Sequence, residues 1–157
     1  MSSNDTKEYI TSLLGDNLRI DGRKLDDYRM PITIELNVSN NAEGSAKVTI
    51  GETEVIAGVK LNVGTPFPDT PDEGVLMVGA ELLPLSSPEF ESGPPGPDAT
   101  ELARVIDRGI RESNMIDVKK LCIKEKELVW MVFLDIYTIN DAGNLIDASG
   151  LAAVAAL

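Results

Sequence analysis

The sequence predicts an α+β domain in which a β-sheet is packed with helices. Several segments alternate apolar and polar residues with the two-residue period of a strand. One segment near residue 100 has the spacing of an amphipathic helix, and no internal repeat divides the chain. With 157 residues, of which 43% are hydrophobic and 25% charged, the chain has the composition of an ordinary globular domain with one core.

The first half of the chain predicts one helix followed by four strands. SNDTKEYITSLLGD reads as a helix, with Ile10, Leu13 and Leu14 at core spacing and Gly15 placed to end it. After the charged, turn-rich LRIDGRKLDDYR, the segment MPITIELNVSN alternates as a strand does. GSAKVTIGETEVIAGVKLNVG predicts two strands around a hairpin turn at 51–53. The loop TPFPDTPDEG then leads into VLMVGAELLPL, a further strand.

The second half predicts a helix, two strands and a last helix. The first of these helices is expected to begin near Asp98, because Glu101 three residues later gives an acidic variant of a capping box. KKLCIKEKELVWMVFLDIYTI predicts the two strands, in which Cys122 reads as a buried small residue. Asp135 is expected to face the polar side of the sheet or to pair with a neighbour, rather than to act in catalysis. LIDASGLAAVAAL predicts the last helix, capped by Asp147.

The sequence ends at Leu157 while its pattern is still apolar, without a glycine cap or a polar tail. A short buried C-terminal helix is one interpretation of this ending. We favour the other, in which the sequence is a fragment of a longer domain.

Composition excludes several classes of chemistry. The chain has no histidine, which removes Ser–His and Cys–His nucleophile pairs and the usual zinc sites. It has no glycine-rich phosphate loop or dinucleotide fingerprint, and one cysteine allows no internal disulfide. We therefore expect no metal, no cofactor and no catalytic residue of the histidine-dependent kinds. The first twenty residues lack the apolar run of a signal peptide or membrane span, so we expect a cytoplasmic protein without membrane contact.

The charge balance restricts any contact with nucleic acid to a local one. The chain carries 26 acidic and 14 basic residues, a net charge of −12. Non-specific affinity for nucleic acid comes from neutralising phosphates, which bulk charge of this sign opposes. An RNA contact would have to be local or be supplied together with a partner.

One helix gathers basic residues against this background. At about 100° per residue, Arg104, Arg108 and Arg111 fall within roughly 60° of one another. The opposite side carries the apolar residues Leu102, Val105, Ile106 and Ile110, which are expected to be buried.

Two interpretations of this basic ridge remain open from the residues alone. It forms a solvated face with ion pairs between Asp107 and Arg111, Arg108 and Glu112, and Glu101 and Arg104, or it binds an anion such as RNA. The residue pattern by itself favours the solvated face.

Four segments in order give a family resemblance that covers the chain from about residue 18 to its end. They are LRIDGRKLDDYR, GSAKVTIGETEVIAGVK, FESGPPGPDATELARVIDRGIRES and VWMVFLDIYTINDAGNLIDASGLAAVAAL. Together they resemble the RNase PH-like family, and within it the non-catalytic members found in archaeal exosomes. The resemblance implies the RNase PH-like domain, of the ribosomal protein S5 domain 2-like type, as the fold of residues 18–157. Residues 1–17 are expected to form a separate N-terminal helix.

The resemblance also implies partners and an activity of the assembly. Three non-catalytic subunits would alternate with three catalytic RNase PH-like subunits in a ring of six, with RNA-binding cap proteins at its entry pore. Such a ring degrades single-stranded RNA from the 3′ end with inorganic phosphate. In it, the arginines of the matching helix, Arg104, Arg108 and Arg111 here, would face the RNA beside the partner's active site. This implication reverses the preference for a solvated face.

One departure from the catalytic pattern is informative. Active members carry arginines in the loop before this helix, where one helps to bind phosphate. Here the matching residues 91–100 are ESGPPGPDAT, without an arginine. Prolines lack even a backbone N–H with which to bind phosphate. We therefore predict an inactive partner subunit; the alternatives are a phosphorolytic exoribonuclease active in its own right and a purely structural ring subunit.

Overall fold

A computed structural model describes residues 3–157, and it confirms the predicted α+β class. The chain divides into two units, Met1–Met30 and Pro31–Leu157. None of the helices within the described residues is long and apolar enough to cross a membrane.

The first unit contains the predicted N-terminal helix, which runs over Ser3–Gly15 (α1). Of the predicted helical segment 1–17, residues 1 and 2 lie outside the described part of the chain. The expected burial of its apolar positions is wrong, since Ile10 is 38% and Leu14 48% exposed and Leu13 is only half-buried. A unit of this size has too little chain to cover a helix face by itself.

The second unit is built on one mixed sheet in the strand order β1-β2-β3-β6-β4, with the short β5 paired to β6. All pairs are antiparallel except β4 with β6, which is parallel. The strands are Ile32–Leu36 (β1), Gly44–Ile50 (β2), Thr53–Gly64 (β3), Val75–Glu81 (β4), Cys122–Lys124 (β5) and Leu128–Asn140 (β6).

The alternation of apolar and polar residues in the sequence gives a sheet with one buried face and one exposed face. Val48, Val55 and Leu134 point to the same face and are fully buried. Asp135 points to the opposite face and is exposed, as predicted. Cys122 is half-buried rather than buried, because β5 is a three-residue strand outside the main strand path.

Two helices cover the apolar face of the sheet, α2 (Pro97–Glu112) and α3 (Leu145–Ala156). Their buried residues join those of the strands in a single core cluster. α3 uses alanines for this contact, which brings its backbone close to the sheet. At Gly44 of β2 the approach is so close that a Cβ would overlap the carbonyl oxygen of Ala156. A 3₁₀ turn at Val118–Leu121 precedes β5.

Both helices begin one or two residues before the predicted cap. α2 has Gly96 at its N-cap and Pro97 at its first position, without a side-chain cap, so the capping box predicted at Asp98 is wrong. α3 follows Asn144, which adopts a left-handed φ of 61°. Asp147 lies within the first turn and accepts a hydrogen bond from the Asn144 side chain at 2.9 Å, so it does not cap the helix as expected.

Candidate nucleic-acid interface

The amphipathic pattern of α2 fixes which of its side chains reach solvent. Ala99, Leu102, Ile106 and Ile110 are all buried, so the helix is anchored along one stripe. Val105 was expected in that stripe and is instead 41% exposed. Its position is about 60° away from Leu102 around the helix, on the side of the arginines, and the sheet does not reach it.

Arg104 and Arg108 lie beside Val105 on the exposed side of α2. With Thr100 and Glu101, they line an open groove of about 720 Å³ whose rim is the Pro95–Pro97 segment. The side chain of Arg104 forms no hydrogen bond or salt bridge with any described residue, and the predicted Glu101–Arg104 pair is not formed. The groove therefore presents an uncompensated guanidinium, a group that can fork onto two phosphate oxygens.

The contact between Arg108 and Glu112 is loose. Their nearest charged atoms are 3.8 Å apart, and the two side chains are 81% and 72% exposed. An exposed helix pair of this kind contributes at most a few tenths of a kcal/mol. Arg108 can leave Glu112 for a stronger anionic ligand at little cost.

Arg111 differs from the other two arginines because its guanidinium is already engaged. Its Nε donates to Asp107 Oδ2 at 2.7 Å, which confirms the predicted ion pair. Its Nη2 donates to the carbonyl oxygen of Leu76 in β4 at 2.6 Å. The sequence grouped the three arginines by helical spacing, and this grouping could not reveal a carbonyl 35 residues away along the chain.

A second groove, of about 560 Å³, shares the Pro95–Pro97 segment with the first. Its lining contains no basic residue and four exposed carboxylates, from Glu81, Glu89, Glu91 and Asp98. The nearby phenol of Tyr137 has its pKa raised by burial, with added contributions from the negative charges of Glu81 and Asp135. An anion such as phosphate would be repelled here.

Other candidates for chemistry stay separate in the structure. No group of three or more His, Cys, Asp or Glu side chains that could hold a metal ion occurs within residues 3–157. The hydroxyl of Ser149 in α3 is buried without a hydrogen-bond partner, and it faces the core.

The chain matches the family model described as the 3′ exoribonuclease family, domain 1, over residues 29–157. A curated relative, exosome complex component Rrp42 of Methanosarcina mazei, is 58% identical over 151 residues, which are 96% of this chain and 56% of that protein. The chain thus spans little more than half of the length of such relatives.

Two solved structures have the same fold. One is described as the Archaeoglobus fulgidus exosome with RNA bound to the active site. A chain in it is 56% identical with a TM-score of 0.92, and the match covers 98% of this chain and 60% of that one. The other, described as an archaeal exosome core, contains a chain that is 50% identical with a TM-score of 0.85, covering 98% and 57%.

Proposed function

Because this chain belongs to the 3′ exoribonuclease (RNase PH) family, we propose that it is part of a non-catalytic subunit of an archaeal exosome ring. Its role there is to hold single-stranded RNA while a catalytic partner subunit shortens the RNA from the 3′ end with inorganic phosphate. The high identity to Rrp42 proteins and to a chain of an RNA-bound exosome supports this proposal.

The observation that carries the proposal is the open groove on α2 that Arg104 and Arg108 line, called the arginine groove from here on. Arg104 has no internal partner among the described residues and Arg108 only a loose one, so both guanidinium groups can bind phosphates of the RNA backbone. Arginine suits this role because it holds its charge and offers donors in a planar fork. The buried stripe of α2 fixes the helix on the sheet, so the two side chains need little ordering of the backbone when RNA binds.

The second groove, lined by Glu81, Glu89, Glu91 and Asp98 and called the acidic groove from here on, supports the non-catalytic role. A phosphorolytic site must bind inorganic phosphate, which requires cationic or N–H donors. The segment at 91–97 supplies no cationic side chain, and its three prolines lack an N–H, while Glu81, Glu89 and Glu91 add negative charge. The binding of inorganic phosphate and its reaction with the RNA are therefore assigned to the partner subunit.

The remaining partners follow from the same assignment. We propose that three copies alternate with three catalytic RNase PH-like subunits, that RNA-binding cap proteins sit on the ring, and that the assembly works in the cytoplasm. Residues 18–157 would supply the first part of the RNase PH-like domain, after the N-terminal helix within 1–17.

The test separates three roles of the full-length protein. Incubated alone with single-stranded RNA and phosphate, it should release no nucleoside diphosphates. Co-expressed with its catalytic partner, it should form a ring that shortens RNA only when phosphate is present. Release by the protein alone would identify an active exoribonuclease. A ring whose RNA affinity does not change when the arginine groove is neutralised would identify a purely structural subunit.

A further inference from the structure

Asp107 lies between two arginines on α2 and pairs with only one of them. Arg104 is three residues before it and Arg111 four residues after it, and both spacings place side chains within reach on a helix. The carboxylate accepts from Arg111 at 2.7 Å, whereas no salt bridge joins it to Arg104. Asp107 and Arg104 nevertheless line the same small groove, of about 290 Å³, beside β4.

The choice of partner is fixed by a contact outside the helix. The same guanidinium of Arg111 donates to Leu76 O at 2.6 Å, and Leu76 is 4% exposed. Asp107 on α2 and Leu76 on β4 therefore both accept from the planar guanidinium of Arg111. These two contacts keep its Nε directed at Asp107. The side chain of Asp107 is 29% exposed and that of Arg111 48%, so the pair is partly shielded from water.

We propose that Arg111 is a positioning residue that keeps the carboxylate of Asp107 away from Arg104, and that Arg104 can bind an RNA phosphate because of this. The inference rests on the proposed function of the arginine groove. Without Arg111, Asp107 is free to pair with Arg104 and to compete with the RNA phosphate for its guanidinium. Arg111 then contributes to RNA binding without contacting RNA.

A double-mutant cycle in the assembled full-length ring tests this inference. The variants are D107A, R111A and the double variant D107A/R111A, with a fluorescently labelled single-stranded oligoadenylate as the probe. With Asp107 present, R111A should weaken RNA binding by about twofold, the size expected from competition by one exposed helix ion pair. In the D107A background, the same substitution should leave the affinity unchanged, because the competing carboxylate is gone.

A second cycle asks whether Arg111 acts through Arg104. R111A should have no further effect on affinity in the R104A background. Equal losses from R111A in the parent and D107A backgrounds, together with an additive loss in the R104A background, would show that Arg111 contacts phosphate directly and would overturn the inference. R111M serves as the variant if R111A does not fold, since it keeps an apolar stem of similar length and offers no donor to Asp107 or to Leu76 O.

The same experiment separates failure of this inference from failure of the proposed function. If R104A/R108A binds the oligoadenylate as the parent does, the arginine groove does not bind RNA, and both proposals fall. If R104A/R108A weakens binding while the Arg111 cycles are additive, only the positioning role is wrong.

Discussion

Two grooves meet at the start of α2, and they share Pro95, Gly96 and Pro97 in their walls. The arginine groove lies along the exposed side of the helix and carries Arg104 and Arg108. The acidic groove is lined by the same segment and contains carboxylates without a basic residue. They are of similar volume, about 720 and 560 Å³, so size does not distinguish them.

The difference shows how an acidic protein can still expose a local pair of cations. The net charge is −12, yet two guanidinium groups are placed on one side of a helix whose other side is held in the core. At physiological ionic strength, exposed charges more than about 8 Å apart are largely screened. The local groups therefore set the electrostatic potential in each groove, and the overall charge matters less.

The largest expected effect comes from removing both cations of the arginine groove. In the assembled ring, R104A/R108A should weaken binding of a single-stranded RNA about a hundredfold, at ~1.5 kcal/mol for each charged contact. The salt dependence of the affinity should flatten by roughly 1.4 in slope, which corresponds to about 0.7 for each phosphate contact on a single strand. Filter binding or fluorescence anisotropy over a salt series measures both quantities.

The matched control is E101A, which changes the same groove but removes an acid. It should not weaken RNA binding, and its melting temperature should stay close to that of the parent, because exposed substitutions usually change stability by about 0.5 kcal/mol or less. If R104A/R108A binds RNA with the parent's affinity and salt slope, the basic ridge is a solvated face that does not bind RNA.

A smaller effect is expected from neutralising the acidic groove. E89Q/E91Q removes two negative charges near the rim that both grooves share. RNA affinity should rise by less than about fivefold, because exposed charges at this range contribute no more than about 1 kcal/mol. The comparison variant E52Q removes an exposed charge from the turn between β2 and β3 and should leave the affinity unchanged. A rise in the binding free energy for E52Q that is half as large as that for E89Q/E91Q would show that only net charge matters, because E52Q removes one charge and the double variant removes two.

The smallest effect concerns the phenol beside the acidic groove. Because Glu81 contributes to the raised pKa of Tyr137, E81Q should move that pKa back towards its ordinary value, while burial keeps it above. A spectrophotometric titration of tyrosinate absorbance measures this, with Y137F identifying the signal. If E81Q leaves the titration of Tyr137 unaltered, the acidic groove lacks the negative potential attributed to it.

Most of the fold could be predicted from local pattern. The six strands and the three α-helices follow from periodicity, and the exposure of Asp135 follows from its place in a strand. The strand order could not be read from periodicity, because the insertion of β6 between β3 and β4 depends on long-range pairing. The expected burial of Ile10 and Leu14 failed because apolar spacing predicts a face but does not supply the surface that covers it.

The site was predictable in composition but not in detail. Helical spacing placed three arginines on one side, and the structure gives them three different environments. Val105 was misplaced because it lies at the border of the buried stripe, where a difference of tens of degrees decides exposure. The engagement of Arg111 depends on Leu76 in a distant strand, for which the sequence carries no local signal.

The contact between α3 and Gly44 makes that position intolerant of substitution. Any side chain there would collide with the backbone of the last helical turn at Ala156, and a carbonyl group cannot rotate away as a flexible side chain can. Even alanine would have to lift the end of the helix from the sheet and open the alanine-lined contact between them. A saturation mutagenesis screen for folded protein should therefore recover glycine alone at position 44, whereas Gly109, which has open space around it, should accept alanine.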